Sequence, residues 1–231
     1  MKHIFLLNKD NSEDDLNEIV KFQAKKYISE EDLIFLNIDS NEYKKILLEA
    51  FSNLDIDENE YFILSPHASV LMSAPNENEI KNLVEYLKSQ DVYKYIRLKL
   101  LGIKNDKLIN NSLHLYEDSY SKLSRCPHII NKKNFLDIVG KVDQNIFIRF
   151  WLSLETTNVD SLFYFNTEEK DEKGYFFCKI YNAQTNLINL FYKWNVEYLE
   201  FINDVLQQQG LVSNREFSEQ STWECCHDMG K

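Results

Sequence analysis

Apolar positions in the first hundred residues follow two alternating rhythms. Apolar runs at residues 4–7, 33–38 (interrupted only by Asn37) and 61–64 have the length of strands. Between them, apolar positions recur at helical spacing: Leu16, Ile19, Val20, with Gln23 and Tyr27, and then Tyr43, Ile46, Leu47, Ala50, Phe51 and Leu54. A third set, Ile80, Leu83, Val84 and Leu87, follows the strand at 61–64. The start signals agree with these faces. Ser12 opens Ser-Glu-Asp-Asp, a capping-box pattern with acids in the first turn; Ser40 can cap the second helix, and Asn76 or Asn78 starts the third. Residues 92–100 alternate Ile96, Leu98 and Leu100 against Tyr95, Arg97 and Lys99, which predicts a half-exposed strand.

The resulting order, β-α-β-α-β-α-β, predicts an α/β fold with helices packed on a largely parallel sheet. In open sheets of this type the ligand crevice lies at the carboxyl ends of the strands. Those ends carry Asn8 and Lys9, Asp39 and Ser40, and the run Ser65-Pro66-His67-Ala68-Ser69.

The second half is less regular. Strand-like pieces lie between residues 113 and 130, around Arg125-Cys126-Pro127-His128, and residues 134–139 read as a short helix. Asp143 is expected to open a helix running to about Glu155, with Ile146, Phe147, Phe150 and Leu154 on one side. Residues 162–165 and 175–181 read as strands around a charged loop, and residues 194–209 as an amphipathic helix (Tyr198, Leu199, Ile202, Val205, Leu206) stopped by Gly210. With no internal repeat and no Pro- or Ser-rich linker, residues 1–231 are expected to form one domain. Its halves are 1–104, the ligand-binding half, and 105–231, a smaller irregular subregion.

Composition narrows the function classes. The chain is 44% hydrophobic and 27% charged, so it can bury a core. Its net charge of −11 and the lack of a Lys/Arg stripe argue against a nucleic-acid partner. Only 5 glycines are present, and none is placed to form a dinucleotide fingerprint, a phosphate loop or a nucleophile elbow. Any nucleotide would therefore be bound without a glycine cradle. The four cysteines, Cys126, Cys178, Cys225 and Cys226, form no disulfide framework or zinc spacing. Reduced thiols, and an N-terminal apolar run too short for a leader or a span, lead to the expectation of a soluble cytoplasmic protein.

The order of parts resembles a GT-A fold glycosyltransferase of the polysaccharide type. The second strand of that family often ends in an acid that contacts the base or ribose, and Phe35-Leu36-Asn37-Ile38-Asp39-Ser40 occupies this place. The third strand usually runs into an Asp-x-Asp that holds a divalent metal on the donor diphosphate. Here the corresponding text is Tyr61-Phe62-Ile63-Leu64-Ser65-Pro66-His67-Ala68-Ser69, without the carboxylates. Residues 124–136 are similar to a strand-then-helix element bordering the acceptor site, and residues 192–215 resemble the C-terminal helix of the group. The resemblance implies a Rossmann-like GT-A sheet flanked by helices, with an acceptor-side subregion. It also implies a nucleotide-sugar donor and a saccharide or glycoconjugate acceptor.

The missing Asp-x-Asp bears on the chemistry. A departing nucleoside diphosphate gains negative charge that a metal, Arg or Lys, or helix N-termini must stabilise. Hard cations such as Mn²⁺ prefer oxygen ligands, and Ser65, His67 and Ser69 replace two carboxylates poorly. The cofactor is thus left open, with His67 and His227 as candidate metal ligands. Arg125, Lys193 and Arg215 are candidate counter-charges for a metal-independent reaction, and each also reads as a surface ion-pair residue. Asn8, Asp39, Ser65, His67 and Ser69 are candidate donor contacts; Asp39 reads equally as a turn acid before Asn41. The resemblance makes Asp143 a candidate base for the acceptor hydroxyl, with Glu155 as the runner-up. Both also read as ordinary helix-end acids. Three functions fit this reading: a glycosyltransferase, a degenerate member of the fold that binds a nucleotide or partner without transfer, and an unrelated α/β protein acting through protein contacts.

Overall fold

A computed structural model describes residues 1–9, 14–39, 41–66, 69–91, 94–98, 107–108, 113–115, 127–145, 162–164, 180–184, 187 and 193–218. The expected β-α alternation is present. Strand β1 (His3–Asn8) leads to helix α1 (Asp14–Tyr27), β2 (Leu33–Ile38), α2 (Tyr43–Asn53) and β3 (Tyr61–Ser65). A short β4 (Val70–Leu71) precedes α3 (Glu77–Lys88) and β5 (Tyr95–Arg97). Beyond them come β6 (Lys107–Leu108), β7 (Leu113–Leu115), β8 (His128–Asn131), α4 (Lys132–Gly140) and β9 (Leu162–Tyr164). The described chain closes with β10 (Ala183–Gln184), β11 (Trp194–Asn195), α5 (Leu199–Gln209) and β12 (Phe217–Ser218).

The central sheet has the order β2-β1-β3-β8-β5-β9-β7-β6. Strands β2, β1 and β3 are parallel, whereas β8 runs antiparallel to both β3 and β5. The sheet is therefore mixed where local alternation predicts a largely parallel one. The difference arises because β8, from the second half of the chain, takes the place beside β3 that sequence order would give to β5. Since β8 opposes both neighbours, β5 runs in the direction of β3, and Arg97 lies at the same edge of the sheet as the ends of β1–β3.

Strand alternation sorts the core into two layers. Phe5, Leu7, Ile63, Ile96 and Ile129 face the layer of α1, α3 and α5, where Leu16, Ile19, Ile80, Leu87, Ile202 and Trp194 are buried. Ile4, Leu6, Phe62, Leu64 and Ile130 face α2 and α4, where Leu47, Phe51, Phe135 and Val139 are buried. The inner faces predicted for α1, α2 and α3 are those observed. Asn76 caps α3, its side chain accepting from Glu79 N at 3.2 Å. Gly210 ends α5 with φ +65°, as its position predicts.

Three local expectations change. Tyr95, Ile96, Arg97 and Leu98 are all buried, so β5 is an interior strand with neighbours on both sides and not a half-exposed one. Trp194 is a buried strand residue paired with Phe217, and the helix itself begins at Leu199, which is 37% exposed. Residues 143–145 are not helical; they run on from α4 as extended coil, and the rest of the expected 143–155 helix lies outside the described residues.

Helices α2 and α4 are joined at both ends by lysines. Lys132 Nζ donates to the carbonyls of Leu54 at 2.8 Å and of Ser52 and Ile56 at 3.4 Å, at the C-terminal end of α2. Lys44 Nζ donates to the Gly140 carbonyl at 3.2 Å and to that of Val142. No helix among the described residues is long and apolar enough to cross a membrane.

Phe51 packs on Phe135 and Phe62, with ring centroids 4.2 Å and 5.6 Å away, and is fully buried. Phe51→Ala is expected to cost about 3–5 kcal/mol through lost burial and the cavity left behind. Val212→Ser, at a position 87% exposed, is expected to stay within about 0.5 kcal/mol. Urea denaturation at neutral pH measures both.

Candidate functional site

The carboxyl edge of β1–β3 is built from strand ends, helix starts and a returning segment. Asn17 of α1 donates to the Asn8 carbonyl at 2.6 Å, which holds the first turn of that helix at the end of β1. Lys9 N donates to Ile38 O at 3.1 Å, so β1 and β2 stay paired to their last residues. Asn145 Oδ1 accepts from Lys45 N at 3.2 Å, and Lys44 holds Gly140 and Val142. Residues 140–145 are thereby fixed against the first turn of α2, at the end of β2. Two helix N-termini thus open onto this edge and give it a positive backbone field.

Register gives the edge a step. Ile4 is level with Leu64, Leu64 with His128, and His128 with Arg97, while Asn8 pairs with Ile38. Strands β1 and β2 therefore extend four residues, about 13 Å, beyond the Ile4–Arg97 row.

Within this edge the sequence-predicted residues divide by what they already bond. Asp39, half-buried, accepts from Asn41 N at 2.8 Å, making the Asx turn of its alternative reading. Ser65 is fully buried and hydrogen-bonds Tyr181 Oη at 2.8 Å; burial pushes that phenol's pKa well above its ordinary value. The Tyr181 ring also stacks 5.9 Å from His3, whose Nε2 lies 3.2 Å from Glu77. That contact, outweighing partial burial, holds the Glu77 carboxyl below its usual range. Ser69 is buried, and among the described residues its hydroxyl has no hydrogen-bond partner. Asn8 is half-buried at the end of β1. Asp143 is exposed, two residues from the Asn145 contact, so it lies at the same edge as Asp39.

Two of the candidate counter-charges are paired with acids. Lys193 bonds Glu216 at 2.6 Å on an open surface. Arg215 grips Asp15 through Nη2 at 2.7 Å and Nε at 3.3 Å, with its guanidinium 5.0 Å over the Trp194 ring. Trp194 Nε1 donates to Ser213 Oγ at 3.0 Å, and Ser213 donates to Asp15. Burial raises the Asp15 pKa, but Arg215, Ser213 and the Leu16 amide outweigh it, and the net shift is downward. His67, Arg125, Glu155 and His227 lie outside the described residues, as do the four cysteines. Among the described residues no three His, Cys, Asp or Glu side chains converge on one point.

The sequence pattern names neither Arg97 nor His128 as a ligand contact. Arg97 is 2% exposed and His128 0%, side by side on β5 and β8, on the α2/α4 face with Tyr95. Tyr95 and His128 rings lie 5.9 Å apart. The alternation that placed Arg97 on a wet face gave no sign of the second layer covering it. At the opposite, amino edge a groove of about 280 Å³ is lined by Met1, Tyr61, Lys81, Val84, Glu85 and Lys88, among others.

No protein-family model matches this chain, and no curated protein matches it. Among solved structures it is similar to the crystal structure of apo-UDP-glucose pyrophosphorylase. The identity is 12%, over 90% of this chain and 82% of that one, with a TM-score of 0.42.

The Asp15 network generates a pH prediction. A carboxyl held below its unfolded pKa adds stability above that value, near pH 4, and loses it as pH falls through the folded pKa. Asp15→Asn is therefore expected to lose about 1.5–3 kcal/mol at pH 7. Its stability should also fall less steeply than wild type below about pH 4. Urea midpoints measured from pH 7 to pH 3 check both.

Proposed function

We propose that this chain is a nucleotide-sugar-dependent glycosyltransferase of GT-A type, moving a sugar from a nucleoside-diphosphate donor to a saccharide or glycoconjugate hydroxyl. One observation carries the reading: three adjacent parallel strands end at an edge where two helix N-termini open, with Asn8 and Asp39 at the ends of β1 and β2, Asp143 on the segment held against α2, and no glycine loop in the sequence. Open sheets of this kind take their ligands at that edge. Helix N-termini favour the donor's phosphates. Asn8 and Asp39 are the proposed contacts to the nucleoside. Asp143, held near α2 by Asn145, is the proposed base for the acceptor hydroxyl. Ser65, at the end of β3, and Ser69 are the proposed neighbours of the diphosphate, together with His67 from the segment between them.

A second reading is favoured by a separate observation. Asp39, Ser65, Lys193 and Arg215 are each already engaged by another group of the chain. Such an edge suits a nucleotide- or partner-binding module that carries out no transfer.

A panel of nucleoside diphosphates and nucleotide sugars, each with and without Mn²⁺, tests both. A ligand at a hundred times its Kd adds about 2.7 kcal/mol to the folded state. For a chain of this size that corresponds to a rise in Tm of about 5–10 °C. One nucleotide family is expected to give this rise, and Asp39→Ala is expected to reduce it. Release of free nucleotide on adding an acceptor, lost in Asp143→Asn, separates the enzyme from the binding module. No shift across the panel rejects both readings.

A further inference from the structure

Of the candidate counter-charges, the two among the described residues are already paired with acids, and Arg125 lies outside them. Lys193 and Arg215 face acids, and β3 runs into Ser65-Pro66 and not into carboxylates that could hold a metal. A different cation is built into the same edge. Arg97 ends β5, and its register partner His128 begins the ladder that joins β8 to β3. The row Leu64–His128–Arg97 lies one residue below the end of β3, at the foot of the step that β1 and β2 overhang.

We propose that Arg97, with His128 beside it, forms the fixed cationic floor of this crevice and offsets the charge of a bound diphosphate without a bridging metal ion. The inference rests on the nucleotide reading above and names the group that would hold its phosphates. Several independent facts support it. A guanidinium has five donors in a planar fork, so it can keep a partner inside the protein and still present donors to a diphosphate. Arg97 is 2% exposed, so its charge acts in a low-dielectric setting where its field reaches further than a surface lysine's. Two strand spacings, about 10 Å, separate β5 from β3.

The test uses inorganic pyrophosphate and UDP as probes on the full chain, by calorimetry, in EDTA and in Mn²⁺. Wild type is expected to bind pyrophosphate in EDTA. Arg97→Met is expected to weaken it at least tenfold, and Arg97→Lys, which keeps the charge and loses the fork, about threefold. Each variant's cooperative melting is recorded alongside, because a purely structural arginine would lower Tm and leave the affinity of the folded fraction unchanged. That result overturns the proposal, as does pyrophosphate binding that appears only with Mn²⁺. Should Arg97→Met fail to fold, the Arg97→Lys affinity and the metal dependence of wild type still decide. UDP binding that is equal in wild type and both variants rejects Arg97 while leaving the nucleotide reading standing. No binding of either probe or of any nucleotide in the panel rejects both.

Discussion

Strand β8 is the constraint on which the arrangement depends. Every backbone donor and acceptor of a buried strand needs a partner, and β8 finds them on β3 along one flank and on β5 along the other. Because it runs against both, β5 returns to the direction of β1–β3 and brings a charged residue to the edge where those strands end. The same strand delivers α4 onto the face already covered by α2, with Asn131 capping the new helix through Asn134 N at 2.8 Å. Without β8 the sheet would stop at β3, and the aromatic layer over Phe62 would keep Phe51 of α2 but lose Phe135 of α4.

What local sequence could reveal follows from this. The inner faces of α1, α2 and α3 repeat every 3.6 residues, and the burial of Leu16, Leu47 and Ile80 agrees with that period. Gly210 needs only its own φ. The placement of β8 depends on pairing with residues about 65 positions away in one direction (Leu64 with His128) and about 30 in the other (Arg97 with His128), and no local pattern encodes that. Arg97 was misread for this reason. An arginine between two isoleucine-like positions looks solvent-facing until α2 and α4 are known to cover the second face. The local pattern places Trp194 at the start of a helix because Phe217, its strand partner, lies beyond the helix.

The candidate site is legible in the same uneven way. Asp39 and Asp143 are 104 positions apart in sequence, and their meeting at one edge comes from two lysine contacts and one asparagine that no motif announces. Arg215 shows the converse. Its chemistry suits a phosphate, but Asp15, Ser213 and Trp194 already give it a bidentate acid, a neighbouring hydroxyl and an aromatic face. A residue type suggests a role, and the partners within reach decide whether the role is open.

The lysines that join α2 and α4 have a mechanical consequence. Lys132 ties the start of one helix to the end of the other, and Lys44 does the same at the opposite edge, so neither helix can slide along its axis without breaking charge-assisted bonds. The pair is thereby braced as one unit above the Phe51–Phe135 aromatic contact. The two sets of anchors, Gly140 and Val142 on one rim and Leu54 and Ile56 on the other, stand some sixteen ångströms apart over an eleven-residue helix (about 1.5 Å per residue), so each helix is pinned at both of its ends.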